Sequence, residues 1–329
     1  MKVFDLKHWN DEVFLGYARQ IEDPIKTSLI EAGVFYRDDE IALSFPAQVG
    51  GNYAVRPITG VLDGDAIDLD GATDIDDGTL NTYSQGILAL HMGKSFTEKD
   101  FTFNLTGKDF MFQVAEQIGH YWSKQEQKKM LSILKGIFAT ALAGSVVPKT
   151  AVASTDIIDA VRGIGGDNAE LFKVVFMHSV IAQQLEKTEK LTYALYNDAN
   201  GLQRQSNIAY WNGRLVIVND QCPVVDNGDN TKTYRTYILG EKAFAYCPLA
   251  ELVPVEMQRD AKTNGGQTSL ISRDGLVLAP EGISAVKPNV NKITNALLET
   301  GASWEVVNDG NGHSVEAKNI PFCAIDYTL

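Results

Sequence analysis

The sequence has 329 residues, and 44% of them are hydrophobic against 22% charged, the balance of an ordinary globular chain rather than a disordered or collagen-like one. Lysine and arginine number 29 and aspartate and glutamate 42, a net charge of −13 that argues against wrapping nucleic acid with bulk surface. Three widely spaced cysteines (Cys222, Cys247, Cys323) without a CxxC fit reduced thiols, the opening MKVFDLKHWNDE has no signal-peptide core, and no run of about 18 apolar residues exists to span a membrane.

In chain order, residues 1–40 are mixed, weakly periodic and broken by Pro24, too little for a core of their own. From Ile41 to Met92, short apolar stretches (IALSFP, GILALHM) flank a Gly/Asp-rich middle, which predicts a two-stranded excursion with an acidic, turn-rich tip. Seven aspartates lie between Asp63 and Asp77, and no lysine or arginine occurs from Pro57 to Gly93. Next, Phe110, Val114, Ile118 and Trp122 recur four apart, and Met130, Leu134, Ile137 and Phe138 resume the stripe. Taken as one helix over 106–142, this segment would be roughly 55 Å long at about 1.5 Å per residue. Residues 123–129 are polar on every face, so a break there is the competing expectation.

KVVFM, ending at Met177, then reads as a buried strand and HSVIAQQLEKTEKL as the helix after it. GRLVIVND (213–220), YRTYILG (234–240) and AFAYC (243–247) read as further strands. LVPVEMQRD and TSLISRDGLVLAP read as two long strands joined by the turn KTNGGQ. A last helix over NVNKITNALLET precedes Trp304 and a terminal strand near IPFCAID. The class is α+β, with long elements, one large excursion and no internal repeat.

Chemistry is mostly missing from this text. None of His8, His91, His120, His178 and His313 belongs to an HExxH, and no two are four residues apart, so helical zinc ligation has no support. His178, after the apolar run VVFM, is either a base at a strand end or, as we favour, a strand-to-helix corner residue. No nucleophile elbow, phosphate loop or dinucleotide fingerprint occurs; GIGGDN at Gly163 has the wrong spacing. A calcium loop starting at Asp63 would need an oxygen ligand at Ile67, and one starting at Asp68 would need it at Ala72, so both frames fail. Weak divalent binding by the aspartates is the alternative to a solvated charge run. No catalytic, cofactor-binding or metal residue is assigned. The arm, the excursion and the long helix would leave sheet edges and apolar surface bare in a monomer, so other copies must cover them.

The order of the pieces resembles a known family, the major capsid proteins of tailed bacteriophages and prophages with the Hong Kong 97-type fold. The resemblance rests on four stretches. LTGKDFMFQVAEQIGHYWSKQEQKKMLSILKGIFA resembles the spine helix, with its Tyr-Trp pair and Leu-x-Gly-Ile-Phe end. VVFMHSVIAQQLEK resembles the Met-His-Ser corner, and IAYWNGRLVIVNDQCPV the strand that follows it. TYILGEKAFAY with VPVEMQRDAKTNGGQTSLISRDGLVLAPEGIS resembles the return strands. The likeness implies an N-terminal arm at 1–40, an extended β-hairpin loop at 41–95 lying over a neighbour, and a spine helix with peripheral domain at 96–149. It further implies an axial domain at 150–250, return strands of the peripheral domain at 251–285, and a C-terminal helix and strand at 286–329.

The function implied is mechanical. Copies of the chain would form hexamers and pentamers, close an icosahedral head around DNA without reading its sequence, and use no cofactor and no membrane. The implied partners are a separate scaffolding protein, because only some forty residues precede the excursion, together with a portal and a cementing protein. The place of action is the virion capsid, assembled in the bacterial host cytoplasm. An encapsulin-like nanocompartment shell and, more remotely, a soluble enzyme built on His178 are the alternatives.

One well-known member of the family welds its subunits through a bond between a loop lysine and a neighbour's asparagine. Here the excursion offers no lysine from Pro57 to Gly93; Lys94 sits at its base, and Arg56 stays protonated. Its aspartates repel one another and need cations, water or a basic neighbour. Mature heads boiled in denaturing detergent are therefore expected to run as a single band near the chain mass. A ladder of pentamer- and hexamer-sized species would contradict this.

Overall fold

The computed structural model describes residues 33–39, 41, 51–60, 68, 82–101, 110–197, 203–228, 231–309 and 314–329. Most of the expected arm and nearly all of the aspartate-rich tip, with its alternatives of a solvated charge run or weak cation binding, lie outside the described residues. The chain begins with β1 (Phe35–Arg37), β2 (Tyr53–Thr59) and the 18-residue β3 (Thr82–Lys99), then α1 (Phe110–Ile137). Next come β4 (Val146–Lys149), α2 (Asp156–Gly165), β5 (Phe172–Met177), α3 (Ser179–Lys187), β6 (Thr192–Asn197), β7 (Gln203–Trp211) and β8 (Arg214–Val218). Five further strands are β9 (Val224–Asp226), β10 (Lys232–Gly240), β11 (Phe244–Leu249), β12 (Val255–Asp260) and β13 (Gln267–Pro280). The chain closes with β14 (Ile283–Ala285), α4 (Asn295–Glu299), β15 (Trp304–Val306) and β16 (Phe322–Thr328).

Two sheets dominate. The first runs β1-β11-β13-β3-β2, with β12 added along β13. Its long strands work as staggered ties: β3 pairs β2 through residues 82–88 and β13 through residues 89–99. Strand β11 hydrogen-bonds the second half of β13, so residues 244–249 lie with this sheet rather than with the strands that precede them. The second sheet runs β4-β16-β10-β5-β8-β7-β6, with the terminal strand β16 inside it between β4 and β10. Arg235 and Asp326, opposite each other on β10 and β16, form a two-pronged ion pair at 2.7 and 2.6 Å.

The centre of the second sheet, β5 with β16 and the second half of β10, is buried on both faces, which is why these strands read as continuous apolar runs rather than alternating ones. Val174 and Phe176 of β5, Tyr237 and Leu239 of β10, and Phe322 and Ala324 of β16 face α1. The intervening Val175, Met177, Ile238, Cys323 and Ile325 face α2 and α3, where Ile157, Val161, Ile181 and Leu185 meet them. A period of two along each strand thus serves two cores at once.

Helix α1 follows the single-helix reading rather than the broken one, but its C-terminal end differs from expectation. It is unbroken through residues 123–129, and it ends at Ile137 rather than Leu142, giving 28 residues and about 42 Å at about 1.5 Å each. The middle holds because polar side chains there bury their stems: Gln127 and Lys129 are each 8% exposed. The expected twelve-residue C-terminal helix shrinks to the five residues of α4. Thr294 explains the late start, since its hydroxyl accepts from Leu297 N at 3.2 Å and caps the helix only there.

The last turn of α1 passes close to α4 and β15. Trp304 Nε1 donates to Leu298 O at 2.8 Å, and a Cβ at Gly136 would run into both that carbonyl and the indole. Gly136 is therefore small for a reason of packing, not of backbone angle. We expect Gly136→Ala to cost about 1–3 kcal/mol in denaturant unfolding, because backbone cannot give way as a flexible side chain can. Gly144→Ala, where a Cβ meets nothing within 4 Å, is the control and should stay within about 0.5 kcal/mol. Equal effects at the two positions would contradict this packing.

Candidate functional site

His178 is the one residue for which the sequence left a catalytic reading open. Its Nδ1 accepts from Val180 N at 3.2 Å and so caps α3, while Nε2 lies 3.8 Å from Asp220 Oδ1 and the ring packs against Tyr234. A base needs a free lone pair, and the backbone already engages the one on Nδ1; that network assigns the proton to Nε2, facing Asp220. Asp220 is itself occupied, since hydrogen bonds from Ser179 hold its carboxyl below the usual carboxylate range. The geometry is that of a strand-to-helix corner, as favoured from the sequence.

The thiols have no reactive setting either. Cys222, Cys247 and Cys323 are buried and form no disulfide, and burial pushes Cys222 and Cys323 up to about 12. Among the described residues no group of three or more His, Cys, Asp or Glu side chains is arranged to hold a metal. No helix among them is long and apolar enough to cross a membrane.

The surfaces carry more information than any cavity. Strand β3 is about 60 Å long at about 3.4 Å per residue, whereas a compact chain of this size has a radius of gyration of only about 20 Å. Its middle, residues 85–90, is buried, and both ends overhang. One overhang is clamped at its root by a polar knot. Arg56 spans Asp38 at 2.9 Å and Glu281 at 3.1 Å and donates to Gln85 Oε1 at 3.1 Å. Fully buried Gln85 in turn donates to Pro280 O and Ile283 O at 2.7 and 2.8 Å. Burial opposes the charge on Arg56, but Tyr36, Glu281 and Asp38 together hold it protonated above its usual range.

The other overhang, residues 91–99, carries β12 and β13 with it and rests on the first half of α1 through Val114, Ile118, Trp122, Phe96, Val255 and Leu270. This satellite core is small, and the ribbon around it is exposed. Strands β2, β12 and β6 leave one edge each without a strand partner among the described residues. Apolar side chains stand in water beside such edges: Leu252 is 97% exposed just before β12, and Val225 is 57% exposed on β9. Bare edges and exposed apolar side chains are templates for association. What this molecule can do chemically is pair and pack with other chains. The sequence signalled this only indirectly, through elements too long for their own core.

Overhanging ribbons and bare strand edges among the described residues are surfaces fit for assembly with other chains. No family model matches the chain. It is similar to the major capsid protein of Bacillus phage SPP1, 26% identical over 291 residues that span 86% of this chain and 87% of that one. Among solved structures it is similar to the acid-stable capsid of Helicobacter pylori bacteriophage KHP30, with a TM-score of 0.56 and 13% identity over 100% of this chain and 99% of that one. It is also similar to the head of Helicobacter pylori bacteriophage KHP40, with a TM-score of 0.55 and 13% identity over 89% and 85% of the two chains. The fold is the Hong Kong 97-type capsid fold, and along most of its length the chain is similar to a phage major capsid protein. The encapsulin-like alternative draws no support from these relatives.

Proposed function

We propose that the chain is the structural major capsid protein of a phage or prophage: it self-assembles into an icosahedral head that encloses DNA, and it catalyses nothing. The observation that carries this reading is the similarity to a major capsid protein along 86% of the chain. The overhanging β3 and bare strand edges support it, because they are costly to leave in water and cheap to bury against copies.

Within the shell we assign the first sheet and α1 to a peripheral unit, and the second sheet with α2 and α3 to an axial unit nearer the capsomer centre. The pairing of β11 with β13 supports placing residues 244–249 in the peripheral unit, and the seat of β16 supports placing the C-terminus in the axial one. In this reading the arm is drawn from residues 1–40, and the loop laid over a neighbour is the part of 41–95 outside the buried middle of β3. Hexamers and pentamers, a separate scaffolding protein, a portal, a cementing protein and assembly in the bacterial host cytoplasm complete the reading.

Negative-stain imaging and sedimentation of the expressed full-length chain test it. Closed megadalton shells are the expected result. A small discrete oligomer with no larger particle would overturn the reading.

A further inference from the structure

A cleft of about 560 Å³ opens where the overhang of β3, the middle of α1 and the segment leading into α4 meet, a volume that suits a small molecule. Its wall includes Asn52, His91, Gln125, Lys129, Asn291 and Lys292, and no carboxylate lines it among the described residues. In a chain with 42 acidic and 29 basic residues, that is a local inversion of charge.

Lys129 is a buried charge without a counter-charge. Only 8% of it is exposed, and its Nζ donates to Ile293 O at 3.2 Å, which uses one of the three donors of an ammonium. No carboxylate pairs with it among the described residues. Burial, and then the neighbouring charge of Lys128, push its pKa down, as expected of a cation lacking an anion. One neutral carbonyl does not offset the cost of burying an ammonium, and a methionine would fill the same space without that cost. Packing alone therefore does not account for a lysine here.

Two further features turn a buried cation into a site. Lys292 stands exposed on the wall formed by the segment before α4, without an ion pair among the described residues. The walls are also fixed in advance. Asn52 Nδ2 donates to Asn291 O at 2.5 Å, tying that segment to the start of β2. Trp122 Nε1 donates to Ser272 Oγ at 2.9 Å, and Tyr121 packs edge-on against Phe96 and Trp122 at 5.5 and 5.1 Å. A cleft held open in this way loses little freedom when it is filled. His91, at the rim, is taken up by Glu251 at 2.6 Å, so the two lysines carry the charge and Gln125 adds a neutral donor.

The complement is a compact anion that only accepts hydrogen bonds and bears more than one negative charge. Phosphate groups have that chemistry, and two lysines on different walls suit two linked phosphates better than one. A nucleic acid duplex fits less well: it is a broad polyanion, repelled by a chain of net charge −13, and it cannot follow a lysine into a recess. We propose that this cleft binds a small multivalent phosphate anion of the pyrophosphate class, held between Lys129 and Lys292. The inference goes beyond the shell reading and does not depend on it.

Calorimetric titration of pyrophosphate, inorganic phosphate and a short duplex DNA into soluble subunits of the full-length chain at low salt tests this. Pyrophosphate should bind at one site per chain, more tightly than phosphate or the duplex, and more weakly as salt rises. Lys292→Glu should weaken it by about tenfold or more, and Lys129→Met should do the same. Lys187→Glu, exposed on α3 with the same change in net charge, should leave affinity within about twofold, because distant exposed charges are screened. Lys292 is exposed, so its variant decides the matter even where Lys129→Met does not fold. Absence of saturable pyrophosphate binding, unaltered affinity in Lys292→Glu, or an equal loss in Lys187→Glu would each overturn the inference. Phosphate bound as tightly as pyrophosphate would overturn the two-lysine arrangement, and duplex DNA bound more tightly would make the cleft part of a nucleic-acid surface and overturn it equally.

Discussion

The second half of α1 lies between the two sheets, and the stripe of Met130, Leu134, Ile137 and Phe138 touches Leu88, Leu90, Leu276 and Leu278 of one while meeting Val174, Phe176, Tyr237 and Phe322 of the other. Phe138 stacks on Tyr237 at 5.5 Å, and the Gly136 turn lets Trp304 and α4 close over the outside. Each of these large side chains contributes about 1.5–3 kcal/mol by leaving water, so one helical stripe holds two otherwise separate layers together. Everything farther along the helix or the ribbons depends on this anchor for its direction.

Beyond the anchor the balance reverses. The first half of α1 and the overhang of β3 share only a small cluster around Ile118 and Leu270, and the strands there present alternating exposed residues on a bare edge. Backbone ordering costs about 1–2 kcal/mol per residue, so such ribbons gain most of their worth from what a neighbour buries on them. The polar knot of Arg56, Gln85 and Glu281 has a different role. It fixes the angle at which the hairpin leaves the body, and a fixed angle is what lets identical copies meet in identical ways. The molecule is therefore rigid at its centre and incomplete at its rim, which suits a subunit that closes a container.

Several of these features were legible in the sequence. The run KVVFM announced a strand buried on both faces, and the stripe from Val114 to Phe138 announced α1, because apolar periodicity reports burial directly. The turn KTNGGQ was equally plain, and Asn264, Gly265 and Gly266 take the positive φ angles that its composition anticipates. Residues 123–129 left a continuous helix and a break both open; the helix continues because Gln127 and Lys129 bury their stems. The helix over 289–300 was overread because a side-chain cap at Thr294 overrides propensity upstream. A cleft lined by Asn52, His91, Gln125 and Lys292 could not be read at all, because nothing local marks these residues as neighbours. The family resemblance succeeded where periodicity stopped, because the order of soft patterns carries information that no single pattern holds.

The central claim is that the bare edges of β2 and β12 and the overhang of β3 at residues 91–99 are covered by other copies of the chain. Hydrogen exchange on closed shells and on dissociated subunits of the same protein measures that coverage directly. The account predicts that backbone amides of β2, β12 and residues 91–99 are protected in the shell and exchange rapidly in the subunit, while β5 and β10 stay protected in both. Equal exchange at β2, β12 and residues 91–99 in the two states would contradict it.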